Sequence, residues 1–241
     1  MTAAYDSIAD WYDQIIRADA LAGDLVLPYL FELAGPVAGR QICDLACGQG
    51  RIARELARRG ANVVGLDLSA ELIAIAQRDE AAEPLGIQFI VGDAQRPAGL
   101  AAGQFDGVVC NMALMDIPDL EAVFQAVFKL LRSSGWFVFS LTHPCFSSPH
   151  AQGRTAADGD LTWEISTYFV EGFWRSDNPE GVRGRVGAYH RTLSTYLNNL
   201  VRAGFQIERM IEPQATGATL ERVPSYGVVP AFLLVRCSKK Q

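Results

Sequence analysis

Hydrophobic and polar positions change period several times along the chain, and the changes mark out its elements. From Ala3 to Leu33 the apolar residues Ile8, Trp11, Tyr12, Ile15 and Ile16, then Leu25, Leu27, Tyr29, Leu30 and Leu33, recur at the spacing of a helix face, and Gly35-Pro36 closes this helical leader. The run Gln41 to Ala46 predicts a short buried strand that ends in Cys-Gly-Gln-Gly50. Ile52, Leu56 and Ala57 then predict a helix stopped at Gly60. The unit repeats. Asn62 to Asp67 reads as a second strand, and Ser69 as the N-cap of a helix through Leu72, Ile73 and Ala76. Ile87 to Val91 is a third strand and Phe105 to Asn111 a fourth. Pro118 suits the first turn of a helix whose core face carries Leu120, Val123, Phe124, Val127 and Leu131, and Gly135 to Leu141 is a fifth strand. Strands alternating with helices imply an α/β fold, a parallel sheet with right-handed crossovers and helices on both faces.

The alternation stops at Thr142. Residues 143–189 have the Gly, Pro, Ser and Asp content of a loop, yet carry Phe146, Trp163, Tyr168, Phe169, Phe173 and Trp174. A linker has no need of such rings, so the segment reads as a cap inserted over a ligand, or as a satellite cluster under a long loop. Thr192 to Ala203 is then helical, and Phe205 to Ile211 and Val228 to Cys237 are two last strands. We therefore expect one domain over 1–241, with a helical leader (1–38), a ligand-binding core (39–142), a substrate cap (143–189) and a closing helix and strands (190–241).

Composition narrows the function. With 241 residues, 49% of them hydrophobic, the chain can bury one sizeable core. A formal net charge of -6 argues against a nucleic-acid partner, which needs clustered cations to displace phosphate counterions. Arg51, Arg54, Arg58 and Arg59 do cluster, but Glu55 lies among them, and they read as a solvated helix face. The 5 cysteines are odd in number and show no C-x-x-C pair, which fits a reduced compartment and no metal. Charges interrupt the amino-terminal segment, so no export or membrane-spanning segment is expected. The expectation is a cytoplasmic protein, monomeric or homodimeric, acting on a small molecule.

The chemistry centres on Asp44-Leu-Ala-Cys-Gly-Gln-Gly-Arg-Ile-Ala53. In a parallel α/β sheet, ligands bind beyond the carboxyl ends of the strands, and the first turn must admit a ligand to the backbone without Cβ interference. Gly48 and Gly50 meet that need, and the following helix directs free N–H groups and a positive dipole end at the ligand. The Gly48-x-Gly50-x-x-Ala53 spacing also matches the dinucleotide fingerprint. Asp67 ends the second strand where a carboxylate can accept from ribose hydroxyls, which both NAD and S-adenosylmethionine possess. Asp44 discriminates: a charge just before the turn would oppose a pyrophosphate but can help hold an ammonium and a sulfonium.

With Gly65-Leu-Asp-Leu-Ser69 and Gly92-Asp93-Ala94 following in order, the chain resembles the class I S-adenosylmethionine-dependent methyltransferases, and more narrowly the type 11 group of bacterial small-molecule methyltransferases. The resemblance runs from Asp44 to about Leu141, and Tyr5-Asp-Ser-Ile-Ala-Asp-Trp-Tyr-Asp13 is similar to the helical segment these enzymes fold over the cofactor. It implies a three-layer α/β/α sandwich with a seven-stranded, mostly parallel sheet of order 3-2-1-4-5-7-6 and an antiparallel last strand. By the resemblance, Asp44, Ala46, Gly48 and Gly50 surround the methionine part of S-adenosylmethionine. Asp67 binds the ribose, with Leu68 against the adenine, Asp93 accepts from the adenine amino group and the Ala94 backbone contacts the ring. Asn111 and Met112 lie beside the methionine moiety, and Tyr12 belongs to the covering segment.

Methyl transfer from a sulfonium needs chiefly a nucleophile held in line and water kept out. If the acceptor must lose a proton, histidine is the usual base. His143, directly after the fifth strand, and His190, before a helix, are the candidate bases, while His150 is placed less well. The other reading for each is local packing or capping. For a hydrophobic or aromatic acceptor, Trp11, Phe146, Tyr168 and Trp174 are the candidate contacts. Two competing functions remain open: a nicotinamide-dependent oxidoreductase using the same turn, and a protein that binds S-adenosylmethionine without transferring its methyl group.

Overall fold

The computed structural model describes residues 3–18, 20–155 and 157–240, so residues 1, 2 and 19 of the expected leader lie outside the described residues. A 3-10 turn over Asp6–Ile8 leads into α1 (Ala9–Ala18) and α2 (Ala20–Ala34). Then β1 (Gln41–Leu45), α3 (Arg51–Arg58), β2 (Asn62–Asp67), α4 (Ala70–Ala82), β3 (Gln88–Val91), β4 (Phe105–Asn111), α5 (Leu120–Leu130) and β5 (Leu131–Thr142) follow in the expected alternation. The Ser69 hydroxyl caps α4 by accepting the Leu72 N–H at 3.2 Å. At α5 the cap differs from expectation: Pro118 stays outside, and Asp119 accepts the Ala122 N–H at 2.9 Å.

Beyond β5 come β6 (Gln152–Thr155), β7 (Leu161–Glu164), β8 (Gly172–Trp174), α6 (Val182–Arg185), β9 (Ala188–His190), α7 (Leu193–Arg202), β10 (Phe205–Ile211), α8 (Gly217–Arg222) and β11 (Phe232–Lys239). The seven-stranded sheet runs β3-β2-β1-β4-β5-β11-β10, with β11 antiparallel to both neighbours. This is the order the resemblance implied, with β11 as the seventh strand lying inside β10, the sixth. The inserted segment is less irregular than its composition suggests, because β6 pairs with β7 and β8 with β9. β11 starts at Phe232 rather than Val228, since a 3-10 turn occupies Pro224–Gly227 and Pro230 has no N–H for a ladder.

Alternate residues of the central strands face two cores. Phe137, Phe139, Leu233 and Val235 pack toward α5 and α7, while Trp136, Val138, Leu234 and Ile42 pack toward α2, α3 and α4. Phe105, Phe124, Phe137, Phe139 and Phe205 are fully buried, each contributing about 1.5–3 kcal/mol by leaving water. The arginine-rich face of α3, expected to be solvated, is not wholly so. Arg54 is buried, bonded to Glu80 at 3.0 Å and Glu83 at 2.6 Å, and ties α3 to α4. Among the described residues, no helix is long and apolar enough to cross a membrane.

Candidate functional site

The carboxyl ends of β1, β2, β3 and β4 open into a cleft of about 470 Å³, closed on its outer side by the leader. Ten of the eleven residues expected around a cofactor line it: Tyr12, Asp44, Ala46, Gly48, Asp67, Leu68, Asp93, Ala94, Asn111 and Met112. Residues 41–45 extend as a strand because they alternate between the two cores, and the chain must then turn at once. Ala46 (φ 56°) and Met112 (φ 54°), which follow β1 and β4, take the left-handed conformation although neither is glycine. That conformation costs about 1 kcal/mol or more for a residue with a Cβ, and both strained residues face the cleft.

The two glycines of the first turn have different duties. Gly48 (φ +55°) has open space where a Cβ would stand, so its backbone is bare toward the cleft. Gly50 (φ +83°) does not line the cleft; a Cβ there would meet the Phe89 ring at 2.6 Å. Gly50 therefore lets α3 start close against β3 and α4, and its contact with a ligand, expected from the motif, is replaced by a packing role.

The cleft is acidic. Asp44 is 1% exposed, and neither of its oxygens has a hydrogen-bond partner. Burial pushes its carboxyl from the ordinary 3.8 up to about 7; the nearby Ala53 N–H pulls the other way without making a hydrogen bond, and Asp67 adds to the rise. Asp67 is held across the turn, accepting the Gly48 N–H at 2.7 Å and the Ser69 N–H at 2.8 Å, and burial raises it too. Asp93 is oriented by Gln95, whose N–H and side-chain amide both donate to it within 3.0 Å. The Asn111 carbonyl oxygen accepts from Ser140 at 2.7 Å. A buried orphan carboxylate, a bare glycine backbone and further carboxylates at successive strand ends fit a cationic amino acid joined to a nucleoside, as in S-adenosylmethionine. They would oppose a pyrophosphate.

The leader is pinned over the cleft by contacts that periodicity did not reveal. Ser69 donates to Asp6 at 2.6 Å, Tyr5 to Asp116 at 3.2 Å, and Arg51 to the Ile16 carbonyl at 3.2 Å. Asp116, on a 3-10 turn after β4, also pairs with Arg183 of α6, so the leader, the turn after β4 and the insertion meet in one half-buried triad. Burial raises the Asp116 carboxyl, and Arg183 opposes that rise. The sequence marked Tyr5 only as part of the motif of the leader, and Asp116 not at all.

A second cavity of about 270 Å³ adjoins the first. Thr142, Arg183, Ala188, Tyr189, Tyr226 and Phe232 line both, forming a shared wall. Of the residues expected to contact an acceptor, Phe146 and Trp174 line this second cavity and Trp11 and Tyr168 do not. Trp11 lies instead beneath the Arg185 guanidinium at 4.2 Å. The Tyr168 hydroxyl accepts the Leu193 N–H at 2.9 Å, and its backbone carbonyl takes His190. The two histidines separate. His190 lines the cavity, and its Nε2 donates to that carbonyl at 2.8 Å, which in the neutral ring leaves the lone pair on Nδ1. His143 reaches neither cavity: its Nε2 meets Glu212 at 2.7 Å, and its Nδ1 accepts the Cys145 N–H at 3.2 Å. Burial lowers its pKa against the pull of Glu212. The expectation that His143 faces the acceptor is corrected, because both its nitrogens are spent on local structure.

Comparison with known proteins agrees with this geometry. A family described as a methyltransferase domain matches residues 43–139. A ubiquinone biosynthesis O-methyltransferase of Cronobacter sakazakii is 34% identical over 141 residues, 57% of this chain and 58% of that one. The chain thus spans little more than half the length of that relative. An uncharacterized protein of Haemophilus influenzae is 28% identical over 210 residues, covering 83% of this chain and 81% of its own. An S-adenosylmethionine-dependent methyltransferase from Mesorhizobium loti superposes with a TM-score of 0.75 at 34% identity, over 87% of this chain and 95% of that one.

Proposed function

Because the chain belongs to the S-adenosylmethionine-dependent methyltransferases, we propose that it holds the cofactor in the acidic cleft and methylates an oxygen, nitrogen or carbon of a small molecule seated in the adjoining cavity. The observation that carries this reading is the wall of six residues that the two cavities share, since in-line displacement requires donor and acceptor sites to be contiguous. Bound S-adenosylmethionine supplies a methyl group already activated on a sulfonium.

The rest of the work falls to the chain. Asp44 and the Gly48 backbone take the methionine end, Asp67 the ribose, and Asp93 with Leu68 and Ala94 the adenine. The leader, latched through Tyr5 and Asp6, keeps water from the cleft. Phe146 and Trp174 hold the acceptor's apolar body, and His190 accepts a proton at Nδ1 where the nucleophile carries one. Incubating the protein with methyl-labelled S-adenosylmethionine and a metabolite extract tests the reading by mass spectrometry. Labelled product appearing together with S-adenosylhomocysteine supports it, and cofactor binding without product favours a non-transferring binding protein. In a methyl-transfer assay, His190→Gln lowers turnover about 10²-fold or more; unchanged turnover refutes the base.

A further inference from the structure

The two adjoining cavities differ in charge, although Arg51 and Arg183 also line the cofactor cleft. Four aspartates, Asp44, Asp67, Asp93 and Asp116, line the cofactor cleft, whereas among the described residues no acidic side chain lines the second cavity. Instead that cavity is bordered by two guanidinium groups, Arg183 and Arg191, in a chain whose formal net charge is -6. Arg183 has a counter-ion, the Asp116 carboxylate. Arg191 has none among the described residues. It is only 8% exposed, and three of its N–H groups donate to the backbone carbonyls of Leu114 at 3.2 Å, Ile117 at 2.7 Å and Pro118 at 2.8 Å. The guanidinium also lies 5.4 Å from the Tyr189 ring centroid and 6.0 Å from that of Tyr196. A guanidinium has five N–H groups, so these three bonds occupy most of its donors but leave its charge uncompensated. A buried cation without a counter-charge is costly, and the cost falls when an anion arrives.

Building on the methyl-transfer reading of the same site, we propose that the acceptor is a planar, ring-bearing monocarboxylate whose anionic group is drawn to the Arg191 side of the second cavity. One uncompensated positive charge matches a singly charged carboxylate, and the two N–H groups outside those three bonds remain to meet it. The rings of Phe146, Trp174 and Tyr189 supply flat apolar walls for the rest of the molecule. Arg191 borders the second cavity and not the cofactor cleft, and six residues line both. An acceptor anchored at Arg191 reaches the methyl donor through the region those six residues border.

Titration of the protein loaded with S-adenosylhomocysteine, using benzoate, benzamide and phenyl phosphate as probes, tests this. Benzoate binds about tenfold or more tighter than benzamide and at least as tightly as phenyl phosphate. Arg191→Met removes the preference. Equal binding of benzoate and benzamide, or a preference that survives Arg191→Met, overturns the proposal, and tighter phenyl phosphate overturns its carboxylate. Should the variant fail to fold because the 114–118 turn loses its clamp, the wild-type comparison decides alone. If S-adenosylhomocysteine does not bind, the methyl-transfer reading fails, whereas the probe comparison on the free protein still decides the charge of this cavity.

Discussion

Replacing Asp44 with asparagine separates what the fold prefers from what the cofactor requires. The side chain is 1% exposed with both oxygens unpaired, and its carboxyl rises from 3.8 to about 7. At about 1.36 kcal/mol per pH unit, that rise amounts to about 4 kcal/mol at most between the two protonation states. Because the folded pKa lies above the unfolded one, the folded state holds a proton that the unfolded chain has released. The stabilisation is fully present below about pH 4, and it is lost as pH rises through about 7. The free wild-type protein should therefore lose stability across that window, while Asp44→Asn should not. An amide in the same place has its own unsatisfied polar atoms, but that cost does not vary with pH. The informative quantity is thus the slope of the difference. Urea denaturation of the ligand-free proteins from pH 4.5 to 8 should show the variant gaining on the wild type by a few kcal/mol, about 10 °C in melting temperature for a chain of this size. Calorimetric titration should show the opposite preference for ligand: wild-type affinity for S-adenosylmethionine climbs with pH up to about 7, and the variant binds weakly at every pH. Parallel stability curves, or an unweakened variant, would refute the claim that Asp44 is a buried carboxylate awaiting a cation.

Other expectations follow from single contacts. Gly50→Ala forces a Cβ into the Phe89 ring at 2.6 Å with φ +83° and should cost about 2–4 kcal/mol in chemical denaturation; Gly48→Ala, in open space, should cost about 1 kcal/mol and chiefly weaken cofactor binding. Arg54→Met leaves Glu80 without its buried partner and should destabilise the protein by about 3 kcal/mol, with cofactor affinity preserved. His143→Gln should lower the melting temperature but leave the pH profile of turnover in place, since neither nitrogen faces a cavity; a displaced acid limb would contradict that assignment.

What the sequence determined by itself is local in origin. Strands β1 to β4 and their helices are readable because burial on both faces of a parallel sheet produces short apolar runs, and the glycine turn after Asp44 is readable because only glycine combines a left-handed backbone with an open approach. Where tertiary contacts set the boundary, the pattern fell short: β5 runs from Leu131 rather than Gly135, paired there with Phe105, and Arg54 turned inward to Glu80 and Glu83. The cleft proposed for the cofactor lies at strand ends, so its expected residues follow legible elements. The adjoining cavity does not. Arg183 meets Asp116 across 67 positions and Arg191 meets Leu114 across 77, and neither pairing leaves a periodic trace. Only the folded chain decided that His190 faces a cavity while His143 is spent on Glu212 and Cys145. Side-chain direction in an irregular segment depends on what packs beneath it, and no spacing rule carries that information.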